Sequence, residues 1–288
     1  MGSRKRIGCI GYGVVGKATC NGLRKHNEVF IYDAPKGLGS LKEVCECEYV
    51  FICVPTPMVD TMGGGIDTCI IDKVIDEVAK IVTNSYQIVI VKSTIVPGTM
   101  ERYAQKYPEV RFVYNPEFLT EKNSLYDFMH QDRIIIGSDN FKAAYTVGDL
   151  YRYTFPDTPI LYTGLGEAQM IKYASNCFLA TKVTFANEMY RICKAMDIDY
   201  DKVKEGVGMD TRIGHSHLSV PGNDGQCGFS GKCFPKDLDA LITHCESIGY
   251  SPLLLKAVWN NNMTYRIKYD WKEIPGAVSC EIQEAANV

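Results

Sequence analysis

The thiol of Cys233 stands in GFSGKCFPKD, residues 228–237, with Lys232 and Lys236 on either side and Asp237 after it. Flanking lysines and glycines are not core residues, so this cysteine is placed for reactivity and not for packing. Gly228 and Gly231 make a side-chain-poor turn that can offer backbone N–H groups to a ligand. Pro235 suits the first turn of a helix through DLDALITHC, which puts Cys233 just ahead of a helix N-terminus. That terminus and the two lysines favour the thiolate, the nucleophilic form.

A second constellation lies near the start of the chain. Gly11-Tyr12-Gly13-Val14-Val15-Gly16 follows the apolar run RIGCI and leads into a helical pattern. Gly11 permits a tight turn, Gly13 lets backbone approach a pyrophosphate, and Gly16 allows close helix–strand packing, while the helix start receives phosphates. Such glycines can also be turns and nothing more. Here they have a partner in Asp33, which ends the next apolar run, VFIYD. An acid there binds the ribose 2′-hydroxyl and repels a 2′-phosphate, so NAD is expected over NADP. A nucleophilic thiol and a dinucleotide site in one chain suggest a two-stage oxidation. Hydride leaves an alcohol carbon to give an aldehyde, the thiolate traps it as a thiohemiacetal, a second hydride loss gives a thioester, and water releases an acid.

The elements that must position these residues follow from periodicity. RIGCI, VFIY, YVFICV, IVIV, RFVY and RIIIG read as buried strands. Helical patterns separate them, most clearly IDTCIIDKVIDEVAKIV, with apolar residues at Ile70, Ile71, Val74, Ile75, Val78 and Ile81. The alternation predicts an α/β fold, a Rossmann-type parallel sheet domain with helices on both faces, over 1–164. From Glu167 to Met196 no Pro or Gly interrupts the chain, which predicts a long helix leading into a helical domain over 165–270. That domain contains an irregular segment at 208–234 and helices at DLDALITHCESIG and PLLLKAVWNNNMTYRIKYDW. The weakly patterned stretch 271–288 reads as a mobile tail.

Composition excludes several classes. The 288 residues, 46% hydrophobic and 23% charged with a net charge of −3, describe a globular chain of about two domains with no sign of a nucleic-acid partner. No apolar run approaches the ~20 residues of a membrane span. Many of the 12 cysteines lie in apolar runs, as Cys9, Cys53 and Cys177 do. Cys45 and Cys47 lack a nearby His, and His215 with His217 lacks a third ligand, so no metal is expected. Free thiols and the lack of a signal sequence predict the cytoplasm.

The chain resembles the UDP-glucose/GDP-mannose dehydrogenase family. The family's nucleophile motif, GxGGxCxPKD, matches GFSGKCFPKD at all but one position. CVPTP (53–57), KSTIVPGT (92–99), NPEFLTE (115–121), KYASNCFLATKVTFANE (172–188) and DTRIG (210–214) continue the match in order, along about residues 5–265. The resemblance implies an NAD-dependent four-electron oxidation of a nucleotide sugar's C6 alcohol to a uronic acid, through a thiohemiacetal and thioester on Cys233. UDP-glucose is the first substrate expected, because FPKD after the cysteine fits the UDP-glucose and GDP-mannose branches.

The same resemblance implies roles residue by residue. Lys172 and Asn176, four apart and so on one helix face, would stabilise the developing oxyanion. Asp237 would position the hydrolytic water and help hold Lys172, and Thr94, with a water, would sit near the reacting hydroxyl. Glu121 is expected as general base and Glu117 as the aid to thioester hydrolysis, with the division between the two carboxylates open. Arg212 would reach the sugar hydroxyls from a partner subunit. Val54, Pro55, Thr56, Ser93, Thr94, Glu121 and Lys236 would join the glycine loop and Asp33 around the cofactor. Glu117, Phe118, Leu119, Gly228 and Gly231 would join Lys172, Asn176 and Arg212 around the substrate.

By residue type alone these side chains have plainer readings. Lys172 and Asn176 make a solvated helix face, Glu117 and Glu121 surface acids, Asp237 a partner for the helix start, Thr94 a strand-end cap and Arg212 a surface cation. Two departures from the family pattern matter. Ser230 stands where the family usually has Gly, at a cost on the order of 1 kcal/mol if φ there is positive. VPGNDGQ (220–226) lengthens the loop before the nucleophile. Full-sized members carry a third, nucleotide-binding domain, and this chain reads as a short form without it. The apolar helix at 252–268 predicts a homodimer or larger assembly. The rival readings are another nucleotide-sugar 6-dehydrogenase, a two-electron β-hydroxyacid dehydrogenase that would not need Cys233, and a non-catalytic NAD-binding relic.

Overall fold

A computed structural model describes residues 4–60, 63–82, 84, 86–120 and 122–279. The chain divides into two compact units, Met1–Thr56 with Thr68–Lys172, and Pro57–Asp67 with Tyr173–Val288. The first is built on seven strands: β1 (Arg6–Ile10), β2 (Glu28–Tyr32), β3 (Tyr49–Ile52), β4 (Ile88–Val91), β5 (Phe112–Tyr114), β6 (Ile134–Gly137) and β7 (Ile160–Thr163). Their spatial order is β2-β1-β3-β4-β5-β6-β7. Helices α1 (Val14–Leu23), α2 (Leu41–Cys45), α3 (Cys69–Ile81), α4 (Thr99–Lys106), α5 (Ser124–Met129) and α6 (Phe141–Thr154) connect them.

The inner strands are apolar throughout because both of their faces are covered. Along β3 and β4, Val50, Ile52, Val89 and Val91 pack on one layer with Ile71, Ile75 and Met100. The alternate residues Phe51, Ile88 and Ile90 pack on the other with Leu23, Phe128 and Val147. This is the two-residue period of a strand filling two cores. Strands β1 to β5 pair in parallel. The expected all-parallel sheet breaks at one seam, where β5 and β6 are antiparallel with Tyr114 opposite Gly137. The Asn115 side-chain amide donates to the Ile135 carbonyl (2.7 Å). Strand β6 thus starts beside the point where β5 has just ended, and it can only run back. Strand β7, at the sheet edge, is only partly buried, and it lacks the continuous apolar run that marks the inner strands.

Helix α7 (Leu165–Ala195) runs from the first unit into the second, followed by α8 (Tyr200–Gly208), α9 (Cys233–Ser247) and α10 (Leu253–Tyr265). In the second unit Ala186, Cys193, Tyr200, Leu218 and Val220 form one buried cluster. The hairpin Pro57–Asp67 belongs to this unit, where the buried Asp239 carboxylate of α9 accepts the amides of Gly63 (3.1 Å) and Gly65 (2.9 Å). Burial raises the Asp239 pKa and outweighs those two amides. Residues 271–279 are anchored. Trp271 is buried in a 3-10 turn at Asp270–Lys272, and Met58 exchanges backbone hydrogen bonds with Ala277 (2.9 Å) and Ser279 (2.8 Å). The rest of the expected tail, 280–288, lies outside the described residues. Among the described residues no helix is long and apolar enough to cross a membrane.

Candidate active site

The order of the strands reverses between β1 and β3, and the loops leaving their carboxyl ends are GYGVVG and CVPTP. In open α/β sheets this switch point is where ligands bind. Gly11 has φ +89°, and a Cβ on it would lie 2.6 Å from the Cys53 carbonyl oxygen. A Cβ on Gly16 would lie 2.0 Å from the Gly11 carbonyl oxygen, whereas one on Gly13 meets nothing within 4 Å. Two of the glycines are therefore demanded by packing, and the third leaves open space above the start of α1. Gly13 caps α1 without a side-chain hydrogen bond, and no acid sits in the first turn, so its amides suit an anion. Val14 is exposed and Val15 half-buried beside them.

Asp33 closes this site. Its carboxylate accepts the Tyr12 amide (2.8 Å), the Lys36 amide (3.2 Å) and the Lys36 ammonium (2.8 Å). Burial alone would raise its pKa. Lys36 and the Tyr12 amide outweigh that and hold the carboxyl below the usual range. The CVPTP and KST turns are stitched together beside it. The Ser93 hydroxyl donates to the Val54 carbonyl (2.7 Å) and the Thr56 hydroxyl to the Thr94 carbonyl (2.8 Å). Pro55 is exposed and Thr94 half-buried.

Lys172 and Glu117 overturn their plain readings. The side chains are 3% and 10% exposed and ion-paired at 3.0 Å, and Lys172 also donates to the Glu117 carbonyl. The second Glu117 oxygen accepts the Leu119 amide (2.7 Å). Glu117, Phe118 and Leu119 line a cavity of about 210 Å³, with Lys92 and Arg133 on its wall. Arg133 stacks 4.3 Å from the Phe118 ring centre. Glu121, expected beside them, lies outside the described residues.

In the second unit Cys233 is the first residue of α9 and exposed. One turn on, Asp237 is 1% exposed. Its two oxygens accept from the Asn176 amide (2.5 Å) and the Lys236 ammonium (2.5 Å). Asn176 is itself buried on α7, four residues beyond Lys172. Gly228 and Gly231 have positive φ, +81° and +76°. Their amides donate to Asn187 (2.9 Å) and Asp270 (3.1 Å), so these two donors are committed within the protein. Ser230 is not among the residues with positive φ, and the strain considered for it does not arise. Arg212 is 87% exposed and paired with Asp210 at 2.6 Å.

Residues 39–155 match the UDP-glucose/GDP-mannose dehydrogenase family, NAD binding domain, and residues 166–264 match the central domain of the same family. The chain belongs to this family. UDP-glucose 6-dehydrogenase TuaD of Bacillus subtilis is 37% identical over 227 residues, 76% of this chain and 47% of that one. The chain spans about half the length of the curated relatives it matches. A UDP-glucose dehydrogenase structure from Pyrobaculum islandicum superposes with a TM-score of 0.77 at 30% identity, covering 91% of this chain and 68% of that one. A 3-hydroxyisobutyrate dehydrogenase from Mycobacterium tuberculosis shares the fold alone, with a TM-score of 0.73 at 16% identity over 92% and 95% of the two chains.

The family's cofactor is NAD, and the glycine loop fits it by its own geometry: open space at Gly13, uncapped amides on α1, and an ionised Asp33. Two motif residues had no role assigned from sequence. Lys92, fully buried, donates to the Asn115 side chain (2.8 Å) and carbonyl (3.2 Å), and Tyr151 donates to the same Asn115 oxygen (2.6 Å). Burial pushes the Lys92 pKa down to about 8. A lysine ending an otherwise apolar strand, IVIVK, was the available signal. Asn187, Asn262, Arg266 and Asp270, around the Cys233 loop, carried no such signal.

Proposed function

We propose that the protein oxidises the C6 primary alcohol of a nucleotide sugar, UDP-glucose first, to the carboxylate, with Cys233 holding the intermediate. Asp237 carries this reading: a buried carboxylate one turn beyond the thiol on α9, held by Asn176 and Lys236. A two-electron dehydrogenase of similar fold needs no thiol and carboxylate paired in this way.

Bound NAD supplies hydride acceptance, twice per sugar oxidised. The chain's own residues do the rest. The Cys233 thiolate adds to the aldehyde carbon, and the carbonyl electron pair moves to oxygen. Lys172 and Asn176, on one face of α7, are the N–H donors for that oxyanion. Once the thiohemiacetal has become a thioester, Asp237 positions a water whose proton passes to a carboxylate, Glu117 or Glu121. The water oxygen bonds to the carbonyl carbon, the C–S bond breaks, and the thiolate is restored. Thr94 sits near the reacting hydroxyl, and Arg212 serves the sugar of a neighbouring copy.

The test is stoichiometric. Limiting UDP-glucose with excess NAD should give about two NADH per sugar and little free aldehyde. One NADH with accumulating aldehyde would place the protein with the two-electron enzymes. No NADH from any of a panel of UDP- and GDP-sugars would overturn the reading.

A further inference from the structure

Residues 228–231, near the end of the long connection from α8 to α9, form the loop that delivers Cys233, and two of the four are left-handed glycines. It has no strand or helix partner, so its amides must find acceptors elsewhere. They find them on three separate elements. The Gly228 amide donates to Asn187 Oδ1 on α7 (2.9 Å), the Phe229 amide to Asn262 Oδ1 on α10 (2.8 Å), and the Gly231 amide to Asp270 Oδ2 in the 3-10 turn (3.1 Å). Asn262 is wholly buried and also donates back to the Phe229 carbonyl (3.3 Å). The Asn187 amide is oriented by its own bond to the Val183 carbonyl (2.8 Å). A Cβ on Gly228 would lie 2.3 Å from Asn262 Oδ1, so loop and clamp meet without room for a side chain.

Behind this first layer stands Arg266. Its buried guanidinium bridges Asp270 (3.2 Å) and Asp224 (2.7 Å) and donates to the Lys268 carbonyl (2.9 Å). Asp224 belongs to the VPGNDGQ insert, so the insert is part of the support. Asp224 also accepts the Gln226 amide (3.1 Å), so the same carboxylate that pairs with Arg266 ties down the chain just ahead of the loop before Cys233.

We propose that Asn187, Asn262 and Asp270, with Arg266 and Asp224 behind Asp270, are positioning residues that hold loop 228–231 so that α9 begins at Cys233. The proposal rests on the reading of Cys233 as nucleophile. Held there, Cys233 is the first residue of α9, whose first turn carries no side-chain cap and no acid, a setting that favours the thiolate. Released, the first turn frays and that influence is lost.

The experiment is alkylation of the intact protein by iodoacetamide, with Cys233 and the exposed Cys69 of α3 quantified by peptide mass in the same sample. Asp270→Ala removes the acceptor of the Gly231 amide and one of the two carboxylates on Arg266, while Asp224 (2.7 Å) still pairs with the guanidinium, so the fold should survive. The Cys233/Cys69 ratio should fall about threefold in Asp270→Ala and about tenfold in Asn262→Leu, with the Cys233 profile moving to higher pH. Asp270→Asn keeps an oxygen for the Gly231 amide and should restore the ratio to within about a factor of two. In assays of NADH formation, kcat should fall by the same factors with KM for NAD unchanged. An unchanged or increased ratio in variants that melt like wild type would overturn the clamp. Should Asn262→Leu not fold, the Asp270 pair decides alone. Alkylation does not depend on turnover. Loss of reactivity in a protein that oxidises no sugar keeps the clamp and removes the proposed function, and the opposite result does the reverse.

Discussion

In the first unit the glycine loop is fixed by backbone against backbone: Gly11 lies against the Cys53 carbonyl and Gly16 against the Gly11 carbonyl, with no space for one extra carbon. In the second unit the loop before Cys233 is fixed by side chains, two asparagines and an aspartate drawn from positions 187, 262 and 270. The first arrangement is all-or-none, because a peptide carbonyl cannot move aside. The second is graded, because each side chain contributes one or two hydrogen bonds of about 1 kcal/mol.

The largest effect should come from the second unit's thiol. Cys233→Ser should lower steady-state turnover by about a thousandfold or more while NAD still binds, as titrated by fluorescence. Near-wild-type turnover would remove Cys233 from the chemistry. Next is the all-or-none loop. Gly16→Val, driven into a backbone carbonyl, should cost about 3 kcal/mol or more and abolish NAD binding. Gly13→Ala should leave the melting temperature unchanged yet weaken NAD about tenfold or more, since its methyl enters only the space the pyrophosphate takes. Equal melting of all three proteins would erase the distinction between a packing glycine and a binding glycine.

Smaller still is the effect at Asp33. Asp33→Asn should weaken NAD about tenfold and narrow its advantage over NADP. Because Lys36 and the Tyr12 amide keep this carboxyl ionised below the usual range, wild-type affinity should hold from about pH 7 to pH 5 on Asp33's account. A steep loss across that window that vanishes in Asp33→Asn would contradict it. The smallest effect concerns Lys92. The folded chain releases its proton near pH 8, while the unfolded chain holds it to about 10.5. Across that window the unfolded state binds more protons, so Lys92 adds stability as pH rises. Wild type should gain on Lys92→Met from pH 8 to 10.5 and show no such gain below 8. A flat difference would place the ammonium in water.

What was legible in the sequence is what local chemistry encodes. GYGVVG with Asp33, and the cysteine among glycines and lysines, announce themselves because a turn or a phosphate needs those residue types at that spacing. Lys172 and Asn176 do not, since by type they belong on a wet helix face and yet both are buried. The clamp is less legible still. In Asn260-Asn261-Asn262 only the third is buried, and nothing in three identical letters says which one meets a loop 33 residues earlier. The antiparallel seam at β6 and the half-covered edge strand β7 escaped for a related reason, because pairing direction and edge position depend on neighbours, not on the strand's own residues.

The 31-residue helix α7 has a consequence for how this chain can change length. The boundary between the units falls between Lys172 and Tyr173, inside the helix. Each residue added or removed between Lys172 and Asn176 would turn the residues of α7 after it by about 100° about the helix axis relative to those before it. A single inserted alanine there changes no side chain and breaks no hydrogen bond of its own, yet it puts Asn176 out of phase with Lys172. Seven inserted residues, close to two whole turns, would bring the phase back to within about 20° while lengthening the helix by about 10 Å.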